Sequence, residues 1–378
     1  MQHAFIRLIT GNGSEPTFAS DFARFSRFWF AGVVLVYLCI GFLAAGTLWR
    51  SKEAASIRHE LHLADSSSAA AVPGPASRPV MAGIYVERIF DLSPRTARWG
   101  ADFYLWFRWK KAGDGKQDLD LSKLQLVDGE IVRKNEVCNL ENEAGEHYVL
   151  YRIEALITKS FDTTRFPQED HVLTLRVENG RHEREQLHFV AETTDSAISS
   201  RVSIPGYRIY HDSIRERPHA YQSLRGQSAF NGSRAEAHYS QLQYSIGIER
   251  EGWELFLKMF QGVFVSVAIA LMAFLINPAY NSPRISLGVG SLFAVVASSY
   301  VLSQYLPQGN SHMGLTDIIT SLALVTIVLT LLTSSIALGL HTRRADVVFI
   351  RRFDLRALTV FGTCFTLVNL GLALVVGM

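Results

Sequence analysis

Five stretches of this chain are apolar enough to cross a hydrocarbon core of about 30 Å as helices, which takes roughly 20 residues. They are Phe28 to Trp49, Met259 to Ile276, Ile285 to Leu306, Ile318 to Leu340 and Ala357 to Met378. Lys258 borders the second, where its amine can snorkel to the interface, and Asp317 borders the fourth. The pattern predicts a multi-pass protein of a cell (inner) membrane, with the lipid bilayer as its first partner.

Basic residues orient the spans. Arg24 and Arg27 precede the first, and Arg343, Arg344, Arg351, Arg352 and Arg356 crowd the segment between the fourth and fifth. The segment from Pro307 to His312 has no Lys or Arg. The positive-inside rule makes the N-terminus and the arginine-rich segment cytoplasmic, so parity puts residues 50–254 and the C-terminus outside. The first span reads as an uncleaved anchor, because its apolar run and the polar stretch before it are both longer than a signal peptide needs. Cleavage near Ala44-Ala45-Gly46 is the alternative.

The chain has 378 residues, enough for two or three structural units. A net charge of +2 gives no electrostatic case for nucleic acid. Charge is instead concentrated between Arg50 and Glu254 and between His341 and Arg356. Three cysteines, with Cys39 and Cys364 inside spans and Cys138 alone outside, cannot build a disulfide framework.

Outside the membrane, Ser51 to Ala64 is helix-prone, and Asp65 to Pro79 has the Ser/Ala/Pro composition of a spacer. From Val80 short alternating segments take over: Gly83–Phe90, Trp99–Lys110, Leu121–Val127, His147–Thr158, His171–Val177, Gln186–Ala191, Tyr207–His211 and Tyr239–Glu249. In the second of these Phe103, Leu105, Phe107 and Trp109 share one face, and Tyr104, Trp106 and Arg108 the other. Many short strands at this spacing predict a β-sandwich. The expected division is a cytoplasmic segment 1–27, an N-terminal transmembrane helix 28–49, a helix-prone piece and linker 50–79, a β-sandwich 80–252 and a four-helix membrane domain 253–378.

No catalytic pattern is present. His59-Glu60-Leu61-His62 lacks the spacing for two zinc ligands on one helical face, and Gly288-Val289-Gly290 lies inside a span. His182 and His188 flank a charged turn and are more often solvated than metal-bound. The sequon Asn231-Gly232-Ser233 is weak by itself. A non-enzyme without catalytic residues, metal or cofactor is expected.

Four local motifs, in order, carry a resemblance. Phe166-Pro167 followed by Glu169 and Asp170 resembles the Phe-Pro-x-Asp signature of the pentameric ligand-gated ion channels, the Cys-loop receptor superfamily. The two positions that hold the loop cysteines in eukaryotic members are Lys159 and Leu173 here, which resembles the prokaryotic branch without the disulfide. Tyr104 to Trp109 is similar to the family's second strand. Tyr239-Ser240 to Ile248-Glu249-Arg250 is similar to its last strand, and Arg284-Ile285-Ser286-Leu287-Gly288-Val289 to the start of its pore helix. The resemblance covers Val80 to Met378 and implies an immunoglobulin-like extracellular sandwich feeding a four-helix pore domain; the N-terminal span lies outside the usual pattern.

It also implies a homopentamer that passes inorganic ions. Ser286, Ser291, Ser298, Ser299, Ser303 and Gln304 are unusual in a lipid-facing helix, which independently marks this span as cavity-lining; close helix packing is the alternative. The family register places Arg284, at the mouth, and Ser286, Gly290, Phe293, Ala297, Tyr300 and Gln304 along the pore, with Phe293 as an apolar gate and Ser291 and Ser298 on the flank. Pro283 stands where cation-selective relatives carry an acid, which leans towards anions or weak selectivity. Phe166 and Pro167 are implied to press on the loop from Leu306 to Gly314, with Pro307 at its start, while Arg250 pairs with Glu169 or Asp170. Tyr104, with Tyr221, Phe230 and Tyr239 around the capping loop, are implied ligand contacts for an unknown small molecule. Protons are an alternative, given His171, His182 and His188. A non-conducting membrane receptor is the rival reading. A transporter is disfavoured by the lack of inverted repeats and broken charged helices.

Overall fold

The alternation at Trp99–Lys110 becomes the centre of a sheet. In a computed structural model, which describes residues 15–63, 77–110, 119–221, 237–307, 313–342 and 347–377, this segment is strand β2 (Arg98–Lys110). Phe103, Leu105 and Phe107 are fully buried, whereas Tyr104 and Arg108 on the opposite face are partly open. The linker at 64–76, Phe230 and the 231–233 sequon, residues 308–312, and Arg343 and Arg344 lie outside the described residues.

Contacts divide the chain into two units. One is helical and comprises Met1–Ala54, Thr163–Gln168 and Trp253–Met378; the other comprises Ala55–Asp162 and Glu169–Gly252. The short segment Thr163–Gln168 thus groups with the helices although both its chain neighbours belong to the β-unit.

The β-unit contains β1 (Arg78–Ser93), β2, β3 (Leu124–Leu126), β4 (Gly129–Glu141), β5 (Glu146–Thr158), β6 (Asp170–Asn179), β7 (Leu187–Ala191), β8 (Ala197–Ile198), β9 (Tyr207–Tyr221) and β10 (Ala237–Arg250). Sheet one runs β4-β5-β2-β1-β7, with β8 paired to β1, and sheet two runs β3-β6-β10-β9. Inward side chains of both sheets, including Phe103 and Ile153 from sheet one and Leu175, Tyr244 and Ile246 from sheet two, form one buried cluster. Burying rings and branched chains on one side of each strand is what fixes the register, since a one-residue slip would turn them all outward.

Strand β4 was not expected from sequence. Among the described residues it pairs only with β5, and Glu130, Arg133, Glu136 and Val137 stand exposed along it. An edge strand with little to bury needs no apolar alternation, and its charges discourage pairing with other chains. Strand β9 also exceeds the expected Tyr207–His211, because backbone pairing with β10 carries it to Tyr221.

The helical unit holds most of α1 (Glu15–Leu63), α2 (Glu254–Met272) with a following 3-10 turn (Ala273–Leu275), α3 (Asn281–Ser303), α4 (Leu315–Thr342) and α5 (Val347–Gly377). Among the described residues five helices are long and apolar enough to cross a membrane, and the chain is a multi-pass membrane protein. The sequence reading separated the first span, Phe28–Trp49, from a helix-prone piece starting at Ser51; they are one helix of 49 residues. At 1.5 Å per residue that helix is about 74 Å long, so only its apolar middle fits a bilayer.

Helix α1 is apolar on every side of that middle. Phe22, Phe30, Val33, Tyr37, Ala44 and Leu48 are buried at helical spacing, while Leu35, Phe42 and Leu43 are exposed. Its packed face meets α5 through Phe22 against Phe349 and Phe353. Against α4, Tyr37 Oη lies 2.6 Å from Thr326 Oγ1; because Thr326 already donates to the Leu322 carbonyl (2.7 Å), the tyrosine is the donor. Tyr37→Phe is expected to lower the stability of the detergent-solubilised protein by about 1 kcal/mol, read from its thermal midpoint.

Candidate functional site

Phe166 and Pro167, both buried and joined by a cis peptide bond, lie in the segment that groups with the helices. Backbone groups fasten it to the start of α4. Leu315 N donates to Thr164 O (2.8 Å), and Thr316 Oγ1 donates to Phe166 O (3.4 Å). Gly314 lets the two backbones approach, since a Cβ there would sit 3.2 Å from Thr164 O. Pro307 is half-buried just beyond α3.

The next residue is held in the β-unit. The Glu169 side chain is 1 % exposed and faces Arg250, whose Nη2 donates to Oε1 (3.3 Å). Tyr207 Oη donates to the same oxygen (2.8 Å) and accepts from Arg250 Nη2 (2.8 Å), and the guanidinium lies 4.0 Å from the Tyr207 ring centre. His171 Nε2 is 3.5 Å from Glu169 Oε2. Burial alone would raise the Glu169 pKa, but His171, Arg250 and Tyr207 outweigh it and hold the carboxyl below its usual range. Burial, then the nearby Glu169 charge, pushes the Tyr207 hydroxyl well up, so it remains a donor. Of the two acids offered to Arg250 by the sequence, the structure pairs it with Glu169.

Asp170 has a different partner. His59 Nδ1 lies 2.9 Å from Asp170 Oδ2, and Tyr210 Oη is 3.4 Å from the same nitrogen. Burial, followed by Asp170 and Glu249, pushes the Tyr210 hydroxyl up to about 12. Nothing local in the sequence marks His59 for this contact, since the pair is brought together from distant parts of the chain.

On α3, the residues assigned to the pore divide. Ser286, Gly290, Phe293, Ala297, Tyr300 and Gln304 are all exposed in the single chain, Phe293 by 70 %. Arg284, placed with them by the sequence reading, is on the other side and only 1 % exposed. This corrects its assignment: Gly288, Ser291, Val295 and Leu302 follow it at spacings of four, three, four and seven, and that stripe is packed. Ser291 is buried, and Ser298 Oγ lies 2.9 Å from where a Cβ on Gly262 of α2 would be. Those two serines serve close helix packing.

A third cluster lies on the outer face of sheet one, around a cavity of about 360 Å³ lined by Tyr85, Tyr104, Trp106, Tyr148, Glu192 and Asp195 among others. The Trp106 indole takes the space beside Gly83, where a Cβ would come within 2.1 Å of the ring. Glu192 accepts from Trp106 Nε1 (2.8 Å) and Arg108 Nη2 (3.2 Å). Asp102 takes a two-point contact from Arg152, which lies 5.5 Å from the Tyr104 ring centre. That hydrogen bond, with the Arg152 charge, holds the Asp102 carboxyl below its usual range despite burial.

Tyr221 and Tyr239 lie on sheet two, with ring centres 5.6 Å apart. Tyr221 Oη and Gln241 Nε2 both donate to Glu178 (2.9 and 2.7 Å). Tyr104 and the Tyr221–Tyr239 pair therefore belong to different sheets and do not form one site within a chain. The helical unit has a larger cavity, about 620 Å³, between α2 and α5, lined by Phe256, Phe264, Phe365 and Asn369 among others. It has no charged lining residue and does not include any residue of α3. Among the described residues no group of three or more His, Cys, Asp or Glu side chains is arranged to hold a metal. The chain matches no protein-family model, and a search of curated proteins finds no match.

Proposed function

We propose that this protein is a pentameric ligand-gated ion channel, with the two sheets as an immunoglobulin-like sandwich and α2 to α5 as a four-helix pore domain. The observation that carries the reading is the split at Gln168–Glu169. Residues Thr163–Gln168 are fastened to the start of α4, and the very next residue is locked to Arg250, which closes the last strand before α2. A rearrangement of the β-unit therefore has a covalent route to the helices at three points, α1, the loop and the β10–α2 junction.

In this reading the exposed face of α3, from Ser286 to Gln304, lines the pore in a homopentamer. The Tyr104 face of one copy meets the Tyr221–Tyr239 end of the next around the ligand. Four aromatic side chains, with Asp195 in excess over the Arg108–Glu192 pair, favour a small organic cation over protons as that ligand. The N-terminus is cytoplasmic and the β-unit outside, as the arginine distribution implies. Gating is a population shift, so the ligand must bind the closed and open states unequally. No catalytic role is assigned.

Particle images of the purified full chain should give five-fold rings, and any other symmetry would reject the proposal. Currents in liposomes, evoked by a panel of small amines added on the β-unit side, then separate the channel from its rival, a non-conducting receptor.

A further inference from the structure

Resting on the channel reading, we propose that Asp354 determines the ion selectivity of the pore by holding Arg284 out of its cytoplasmic mouth. An arginine at the foot of a pore helix, repeated around a ring, would focus anions there. Its charge cannot be lost by deprotonation, so only a partner can cancel it.

Arg284 has one. Nη2 and Nη1 donate to the two Asp354 oxygens, Nη1 at 3.5 Å, and Nε and Nη2 donate to the Ile276 carbonyl at 3.0 and 2.7 Å. All three nitrogens are thus engaged, and the two side chains are 1 % and 3 % exposed. Asp354 lies on α5, 70 residues along the chain from Arg284, so the neutralising charge is supplied by packing and not by the pore helix itself. Among the described residues at the foot of α3, Ser282, Pro283, Ile285 and Ser286 are exposed, and none of them is charged. The described foot of α3 then contributes no exposed charge of its own to the mouth, and the native pore should discriminate weakly between anions and cations.

Reversal potentials in a tenfold KCl gradient test this. The native protein should reverse close to zero. Asp354→Asn keeps the side-chain shape but leaves Arg284 uncompensated, and the anion-to-cation permeability ratio should rise by about tenfold, the low end of counter-ion focusing by a charged cleft. Arg284→Met combined with Asp354→Leu removes both charges in similar volumes, a replacement buried pairs tolerate, and should keep the native ratio.

An unchanged ratio in conducting Asp354→Asn would overturn the proposal. So would a strongly anion-selective native pore that loses its selectivity in the double variant, and that second arm decides the matter if Asp354→Asn fails to assemble. Absence of both rings and current in the native protein would instead reject the channel reading, and this inference with it.

Discussion

Arg250→Ala should destabilise the β-unit by about 3–5 kcal/mol at neutral pH, the usual result of leaving a buried charge without its partner. The carboxylate left behind is Glu169, almost fully buried, and the variant also strips the cation from the face of Tyr207. The pH dependence identifies the cause. Glu169 is held below its ordinary pKa of 4.5 in the folded protein, so its ion pairing stabilises the fold above that value. This contribution is lost as pH falls through the depressed folded value.

Removing Arg250 takes away one of the groups that keep Glu169 ionised, so burial pushes its pKa upward in the variant. Protonation then relieves the unpaired charge, and the gap between native and variant stability should shrink as pH is lowered towards 4.5. Urea unfolding of the detergent-solubilised protein at several pH values measures this. A penalty that stays constant with pH would assign the loss to packing on Tyr207 instead. Ring assembly in the same variant separates a staple from a gating contact: pentamers that form but no longer respond to ligand place the effect in gating.

Phe293→Ser should produce a pore that leaks without ligand. The Phe293 ring is 70 % exposed on the single chain and lies midway along the exposed face of α3. In the proposed assembly its five copies form an apolar constriction that excludes water. A hydroxyl in its place wets that constriction in every subunit at once, and a combined shift of about 1.4 kcal/mol towards the open state is already tenfold in open fraction. Unliganded liposome flux should rise by at least that factor. Ser291→Ala, on the packed stripe of the same helix, should leave the flux unchanged. Equal flux in Phe293→Ser and the native protein would remove Phe293 as the gate.

Much of the helical part was legible because membrane solvation acts on each segment by itself. A run of apolar residues must leave water whatever it later touches, so the spans could be read without knowing their neighbours. The alternation in β2 is legible for a similar reason, since one pleated face must be apolar if it meets a core. Strand β4 was not legible: with a single neighbour among the described strands and an open surface, it carries no regular apolar alternation. The continuity of α1 past Trp49 was hidden where the composition changed from apolar to charged while the helix went on unbroken.

The candidate site shows the same division. The chain by itself determined that a Phe-Pro loop, an arginine ahead of the helix that follows the last strand, and a serine-bearing span would be present, because those are local patterns. Only the tertiary structure decided that Arg250 takes Glu169, that Asp170 takes His59, and that Arg284 turns away from Ser286 to Asp354. A buried charge goes to whichever opposite charge the packing brings within reach, here from 70 residues or more away along the sequence. The sequence put Arg284 in the first turn of α3, but the low-dielectric interior required a partner for its charge, and that partner set its direction.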